Sequence, residues 1–122
     1  MYNSKYKKNF TFQQRINESN RVLSKYPDRL PIFCEKLNGQ LDLPDIDKNK
    51  YLVPYDITLG QFMYIIRQRL KLHPDEAMFL FVNNKMMSIS QTIMNVYYYE
   101  KDPDGFLYIK YSKENTFGYS FS

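Results

Sequence analysis

Apolar positions recur along the chain at two spacings, and the switches between them mark out the elements. From Thr11 the residues Phe12, Ile16, Leu23 and Tyr26 return at near-helical spacing with Val22 alongside, and Pro27-Asp28 stops the run. This predicts a helix over residues 11–25, preceded by a short basic one. Leu30 to Lys36 then reads as a strand, closed by the turn dipeptide Asn38-Gly39. The stretch from Leu41 to Asn49, with Pro44 and several acids, reads as irregular. Lys50-Tyr51-Leu52-Val53-Pro54 is a short β-rich run ending in a proline, which suits an edge strand.

The second half continues the alternation. Thr58 is followed three residues later by Gln61, the pattern in which two side chains satisfy the free N–H groups of a helix start. Phe62, Ile65, Ile66 and Leu70 then form an apolar stripe, and Arg67 and Arg69 fall in the last turn, where the helix dipole favours cations. Met78 to Val82 is a continuous apolar strand with Asn83-Asn84 as its turn. Ser90 is placed to cap a short helix whose Ile93, Val96 and Tyr97 share a face. After the Asp104-Gly105 turn, Phe106 to Tyr111 gives the last strand. Two helices followed by β-β-α-β-α-β predict an α+β fold: a ubiquitin-like β-grasp. Its four-stranded mixed sheet wraps a central helix, carries two extra N-terminal helices, and has its terminal strand in the middle.

Composition narrows the picture without choosing a function. A chain of 122 residues, 43% hydrophobic and 17% aromatic, has the means to bury one core and is not a disordered segment. The net charge of +4 is uneven, because Lys5, Lys7, Lys8, Arg15, Arg21 and Lys25 stand against Glu18 alone in the first 25 residues. Such an arm suits nucleic-acid phosphates, anionic lipid or an acidic protein surface, and it equally suits a solvated helix face. Nucleic acid is the weakest of these partners, since most aromatics fall at strand positions with core spacing instead of beside the basic segment. Cys34 has no partner for a disulfide, and no leader or long apolar span opens the chain, so a cytosolic protein is expected. One cysteine inside a strand and one histidine beside Pro74 offer neither a metal site nor a nucleophile-base pair; no catalytic residue and no cofactor is expected.

The final glycine, Gly118, stands four positions before the end, after Phe117. Lacking a Cβ, it suits an extended backbone in a narrow cleft and an unhindered carboxyl group once exposed. That points to chemistry done to the chain and not by it; the alternative is an ordinary frayed terminus.

Several strings together resemble the GABARAP-type autophagy modifiers, which are ubiquitin-like. They are Tyr26-Pro27-Asp28-Arg29, Asp45-Ile46-Asp47-Lys48, Lys50 to Pro54, Gly60-Gln61-Phe62, Phe81-Val82-Asn83-Asn84, Asp104 to Tyr108, and Glu114 to Gly118. The resemblance implies three segments: an N-terminal helical extension (1–27), a ubiquitin-like domain (28–118) and a removable tail (119–122). It implies that a cysteine protease trims the chain to Gly118 and that conjugation enzymes join this carboxyl to phosphatidylethanolamine. A monomeric cytoplasmic protein would thereby move to the autophagosomal membrane. Phe79, Phe81 and Phe117 match positions that the protease and carriers grip, although Phe79 and Phe81 equally suit a core.

The resemblance also implies an adaptor that binds aromatic-x-x-aliphatic peptides of cargo receptors along an open sheet edge. The positions matching the aromatic pocket are Glu18, Val22, Pro31 and Phe33 with Lys50, Leu52 and Phe106. Tyr51, Val53 and Pro54 with Ile57, Phe62 and Ile65 match the aliphatic pocket, and Arg29, Lys48 and Arg69 would meet acidic flanks. Read without the resemblance, Val22, Leu52, Phe62 and Ile65 are also plain core positions, and Lys48 and Lys50 are also edge charges that discourage strand pairing. The basic N-terminus would face tubulin or a membrane surface. Phe33 in place of Ile or Val, Tyr55 in place of a small residue, Met86-Met87 in place of Pro-Pro and Gln68 in place of Lys depart from the family pattern and bear on ligand choice. The alternative function is a ubiquitin-like peptide-binding module that is never conjugated.

Overall fold

Both long helices begin with a reciprocal cap, expected from the sequence at Thr58 and found at Thr11 as well. In the computed structural model, which describes residues 4–40 and 42–114, Thr11 Oγ1 accepts from the Gln14 amide while Gln14 Oε1 accepts from the Thr11 amide. Thr58 and Gln61 repeat the arrangement at 3.1 and 2.9 Å. The helices are α1 (Lys5–Asn9), α2 (Phe12–Lys25), α3 (Leu59–Leu70) and α4 (Ile93–Glu100); the strands are β1 (Arg29–Lys36), β2 (Lys50–Pro54), β3 (Phe79–Val82), β4 (Lys85–Met86) and β5 (Leu107–Ser112).

The strands form one mixed sheet in the order β2-β1-β5-β3-β4. β1 pairs antiparallel with β2 and parallel with β5, so the last strand is central and β2 is an edge, as the element order predicts. The four expected strands are present, and β4 adds a fifth of two residues. Asn83 and Asn84, both at positive φ (51° and 63°), make the tight turn that folds β4 back onto β3. The last helix starts later than Ser90 suggests: its cap is Thr92, whose side chain accepts from the Asn95 amide at 3.1 Å. Tertiary contacts fix that start, since the Ile93 and Met94 amides donate to the carbonyls of Ile57 (2.8 Å) and Tyr55 (2.9 Å).

Alternation along the strands sends side chains to two different cores. Ile32 and Cys34, Tyr51 and Val53, Leu80 and Val82, and Leu107, Ile109 and Tyr111 pack against Leu59, Phe62, Ile66 and Leu70 of α3 and Ile93, Val96 and Tyr97 of α4. Phe33, Phe106 and Tyr108 form a separate buried cluster with Tyr6 of α1. Cys34 is fully buried and its thiol is pushed well above its ordinary value, first by desolvation. It serves as a small core residue.

The N-terminal helices are fastened to the domain by ionic contacts that sequence does not show. Arg15 donates to Asp104 Oδ2 at 2.5 Å, Ser19 Oγ donates to the Asp104 carbonyl at 2.6 Å, and Lys7 pairs with Asp102. Gly105 must be glycine here: its φ is +90°, and a Cβ would meet Ser19 Oγ at 2.4 Å. Arg21 pairs with Glu18 at 2.9 Å. Three of the six cations in the first 25 residues are thus engaged within the chain, so the basic arm presents less charge than its sequence suggests.

Candidate peptide-binding cleft

Among the described residues the outward side of β2 has no neighbouring strand, which leaves it as an edge where another chain can pair. α2 lies beside this edge, because Val22 is buried against the domain while Glu18 and Arg21 stay nearer the surface. Between helix and edge lies a cavity of about 120 Å³ lined by Glu18, Arg21, Val22, Pro31, Lys50, Tyr51, Leu52 and Phe106. Six of the seven residues expected for an aromatic pocket therefore converge.

Phe33 does not line this cleft. Its position in β1 turns the ring to the α1 side, where it stacks on Tyr6 at 5.0 Å with 15° between the planes. A bulky ring at this position thus packs beneath Tyr6, and it lines a neighbouring cavity of about 230 Å³ with Lys5, Tyr6, Asn9, Phe10, Asn49 and Lys50. Arg21 and this neighbouring cavity were not expected from sequence. The signal that points to the second is the Tyr6–Phe10 pair, four residues apart, with Tyr6 in α1 and Phe10 as its C-cap.

The cleft is charged at its rim and apolar within. The Glu18 carboxyl is held below the usual carboxylate range, first by its hydrogen bond from Arg21 and further by the Lys50 charge. Lys50 Nζ lies 5.1 Å from the Tyr6 ring centroid, and Lys48 Nζ lies 5.0 Å from that of Tyr51. Both lysines are exposed.

The expected aliphatic-pocket residues split by depth. Tyr51, Val53 and Phe62 are core, with Tyr51 and Phe62 in an edge-to-face contact at 5.6 Å. Pro54 and Ile57 are half-buried, and Ile65 is 40% exposed. Among the acidic-flank positions, Arg29 donates to the Leu52 carbonyl at 3.1 Å, and Arg69 makes a two-pronged pair with Asp47, 3.1 Å at each contact. Arg69 is therefore already engaged, and Lys48 and Lys50 are the more available cations. Phe79 is half-buried and Phe81 fully buried. Phe117 and Gly118 lie outside the described residues.

A larger cavity, about 280 Å³, opens elsewhere, by Lys5, Lys8, Glu35 and Lys36. Its volume does not make it the better site, because it is polar and lies away from the open edge of β2. Among the described residues, no helix is long and apolar enough to cross a membrane.

Comparison with known proteins places this geometry in a family. The family model described as autophagy protein Atg8, ubiquitin like, matches residues 14–118. Autophagy-related protein 8 of Kluyveromyces marxianus is 49% identical over 115 residues, covering 94% of this chain and 92% of that protein. Autophagy-related protein 8a of Arabidopsis thaliana is 49% identical over 118 residues, covering 97% and 96%. The crystal structure of Trypanosoma brucei ATG8 aligns with a TM-score of 0.86 at 41% identity, covering 91% of this chain and 95% of the other. A ubiquitin-like fold with an open β2 edge, matched in sequence over nearly its whole length, leaves one conclusion: the chain belongs to the Atg8 family of ubiquitin-like autophagy proteins.

Proposed function

We propose that the chain is a modifier and adaptor of autophagy: trimmed to Gly118, joined to phosphatidylethanolamine, and used on the autophagosomal membrane to hold cargo-receptor peptides. The observation that carries the adaptor half is the cleft between α2 and the unpaired edge of β2, lined by Val22, Pro31, Leu52 and Phe106 under the charged rim of Glu18 and Lys50. A peptide strand adding to that edge gains main-chain hydrogen bonds while its aromatic side chain enters the cleft. Burying roughly 150–250 Å² of aromatic surface at about 25 cal/mol/Å² yields about 4–6 kcal/mol. Ordering the peptide removes several kcal/mol of that, so the aromatic anchor alone falls short of the roughly 8 kcal/mol of a micromolar complex, and the aliphatic side chain and the edge hydrogen bonds must supply the rest.

The conjugation half is supported by family membership and by the family match, which runs through residue 118. The cysteine protease hydrolyses the Gly118–Tyr119 bond and releases residues 119–122. The carboxylate is first adenylated with ATP, releasing pyrophosphate; a carrier thiol then displaces AMP to form a thioester, and the ethanolamine nitrogen displaces the last thiol to form an amide. The chain supplies the carboxyl group and the recognition surface, with Phe79, Phe81 and Phe117 offered as grip points. Two acyl chains then anchor it, where a single one at about 0.8 kcal/mol per CH₂ would hold only marginally.

Lys50→Glu tests the cleft. It places a second carboxylate beside Glu18 and removes the cation that draws acidic peptides, so affinity for an acid-flanked aromatic-x-x-aliphatic peptide should fall by at least tenfold by calorimetry. An unchanged Kd would remove the cleft from the account.

A further inference from the structure

The Asn38-Gly39 turn carries a reactivity that neither conjugation nor peptide binding uses. We infer that Asn38 is a site of spontaneous deamidation in the folded protein, and that its isoaspartyl product unfastens Gln40 from the end of β5. Asn38 is the one asparagine of the chain that is followed by glycine. The Gly39 nitrogen attacks Cγ of Asn38: a C–N bond closes a five-membered succinimide, the Cγ–Nδ2 bond breaks, and ammonia leaves with the proton that Gly39 gives up. Water then opens the ring at Cγ, giving aspartate, or at the main-chain carbonyl carbon, giving isoaspartate. Glycine favours the closure because no Cβ crowds its nitrogen.

The structure leaves this pair ready to react. Asn38 and Gly39 are both exposed, in a turn where Gly39 has a φ of +88°. Among the described residues, neither the Asn38 carboxamide nor the Gly39 N–H has a hydrogen-bond partner. Even a Cβ on Gly39 would meet no heavy atom within 4 Å, and both residues line the polar cavity of about 280 Å³, so water reaches the ring. The related pair Asp104-Gly105 is blocked at each of these points. There the Gly105 amide donates to the Asp102 carbonyl at 2.9 Å, and the Asp104 carboxylate is buried and held by Arg15 and the Phe106 amide. The carboxamides of Asn49 and Asn83 are held too, donating at 2.8 Å to the Cys34 carbonyl and to Glu100.

The product has a structural effect because the turn is tied to β5 on both sides. Before it, the Leu37 amide donates to the Tyr111 carbonyl at 2.8 Å, continuing the β1–β5 ladder. After it, buried Gln40 accepts through Oε1 from Ser112 Oγ at 2.9 Å and from the Lys113 amide at 3.4 Å. An isoaspartyl linkage puts one more carbon into the main chain between these ties. The ladder is held by a whole strand, so the side-chain tie of Gln40 is the one that gives way. That tie fastens Ser112 and Lys113, where the last strand passes into the segment bearing Gly118.

The test incubates the full chain in neutral buffer, folded and in urea, and locates isoaspartate with an isoaspartyl methyltransferase, labelled methyl donor and peptide mapping. Label should accumulate at position 38 faster than at any other position, and in the folded chain at no less than about a third of the rate in urea, since no local opening is needed. Asn38→Gln, whose closure would need a six-membered ring, should remove it. In the isoaspartyl form, purified by chromatography, the Lys113 amide should exchange its hydrogen at least about threefold faster, while Asn38→Asp, with the charge but not the extra carbon, should stay below that. A folded rate under a third of that in urea, or faster labelling elsewhere, overturns the site. A smaller change at Lys113, or an equal one in Asn38→Asp, overturns the unfastening.

Discussion

Asp104→Ala is expected to destabilise the domain by about 3–5 kcal/mol, the range for stripping one partner from a buried ion pair. Asp104 is fully buried, and a single carboxylate holds three groups: Arg15 and Tyr108 both donate to Oδ2 at 2.5 Å, and the Phe106 amide donates to Oδ1 at 2.8 Å. Burial, and then the Asp104 carboxylate, pushes the Tyr108 phenol far above its ordinary value, so it serves as a donor throughout the working pH range. Removing the carboxylate leaves a guanidinium only 11% exposed without its counter-ion and frees the loop that sets Phe106 in the cleft. Against a typical total of about 5–15 kcal/mol, that is a large fraction. Denaturant midpoints would measure it, and Arg15→Ala in the Asp104→Ala background should then cost far less than it does alone. A loss below about 1 kcal/mol for Asp104→Ala would show that α2 is held by its apolar face instead.

Gly118→Ala should have the opposite profile: normal stability, normal peptide affinity and complete loss of membrane attachment. Both described cores are built from residues between Tyr6 and Tyr111, all earlier in the chain. Under the proposed conjugation the need is stringent, because trimming and thioester transfer would both pass the chain end through narrow clefts where a Cβ obstructs the approach to the carbonyl carbon. Fractionation of cells under starvation would check this. If the variant still pellets with membranes, conjugation at this residue is excluded. If cells carrying it retain full autophagic function, the unconjugated adaptor becomes the better description.

How much of this was legible in the chain depended on the range of the interaction. Thr58 and Gln61 are separated by three residues, and their cap could be read directly; Thr11 and Gln14 carry the same local pattern. The strand order followed from element succession, since a β-grasp leaves β5 one place to go. The start of α4 was misread at Ser90 because Thr92 is selected by hydrogen bonds to Tyr55 and Ile57, which a local pattern does not contain. β4 is too short to leave a periodic signal.

The cleft divides in the same way. Glu18, Val22, Pro31, Lys50, Leu52 and Phe106 were assigned by their likeness to the family's strings, and the structure brings them together. Phe33 was assigned with them and lies elsewhere, because Tyr6, 27 positions earlier, covers it. Lys7 and Arg15 read as free charge on a basic arm, while their partners Asp102 and Asp104 stand 95 and 89 residues away. Spacing reveals which residues share a face; it does not reveal what distant segment lies on that face.

Intact-mass analysis of the protein from its native cell tests the central claim most directly. The account predicts two species, one ending at Gly118 and one heavier by a phosphatidylethanolamine less one water, with the second enriched on membranes during starvation. A population that keeps Tyr119 to Ser122 and carries no lipid under those conditions would contradict it.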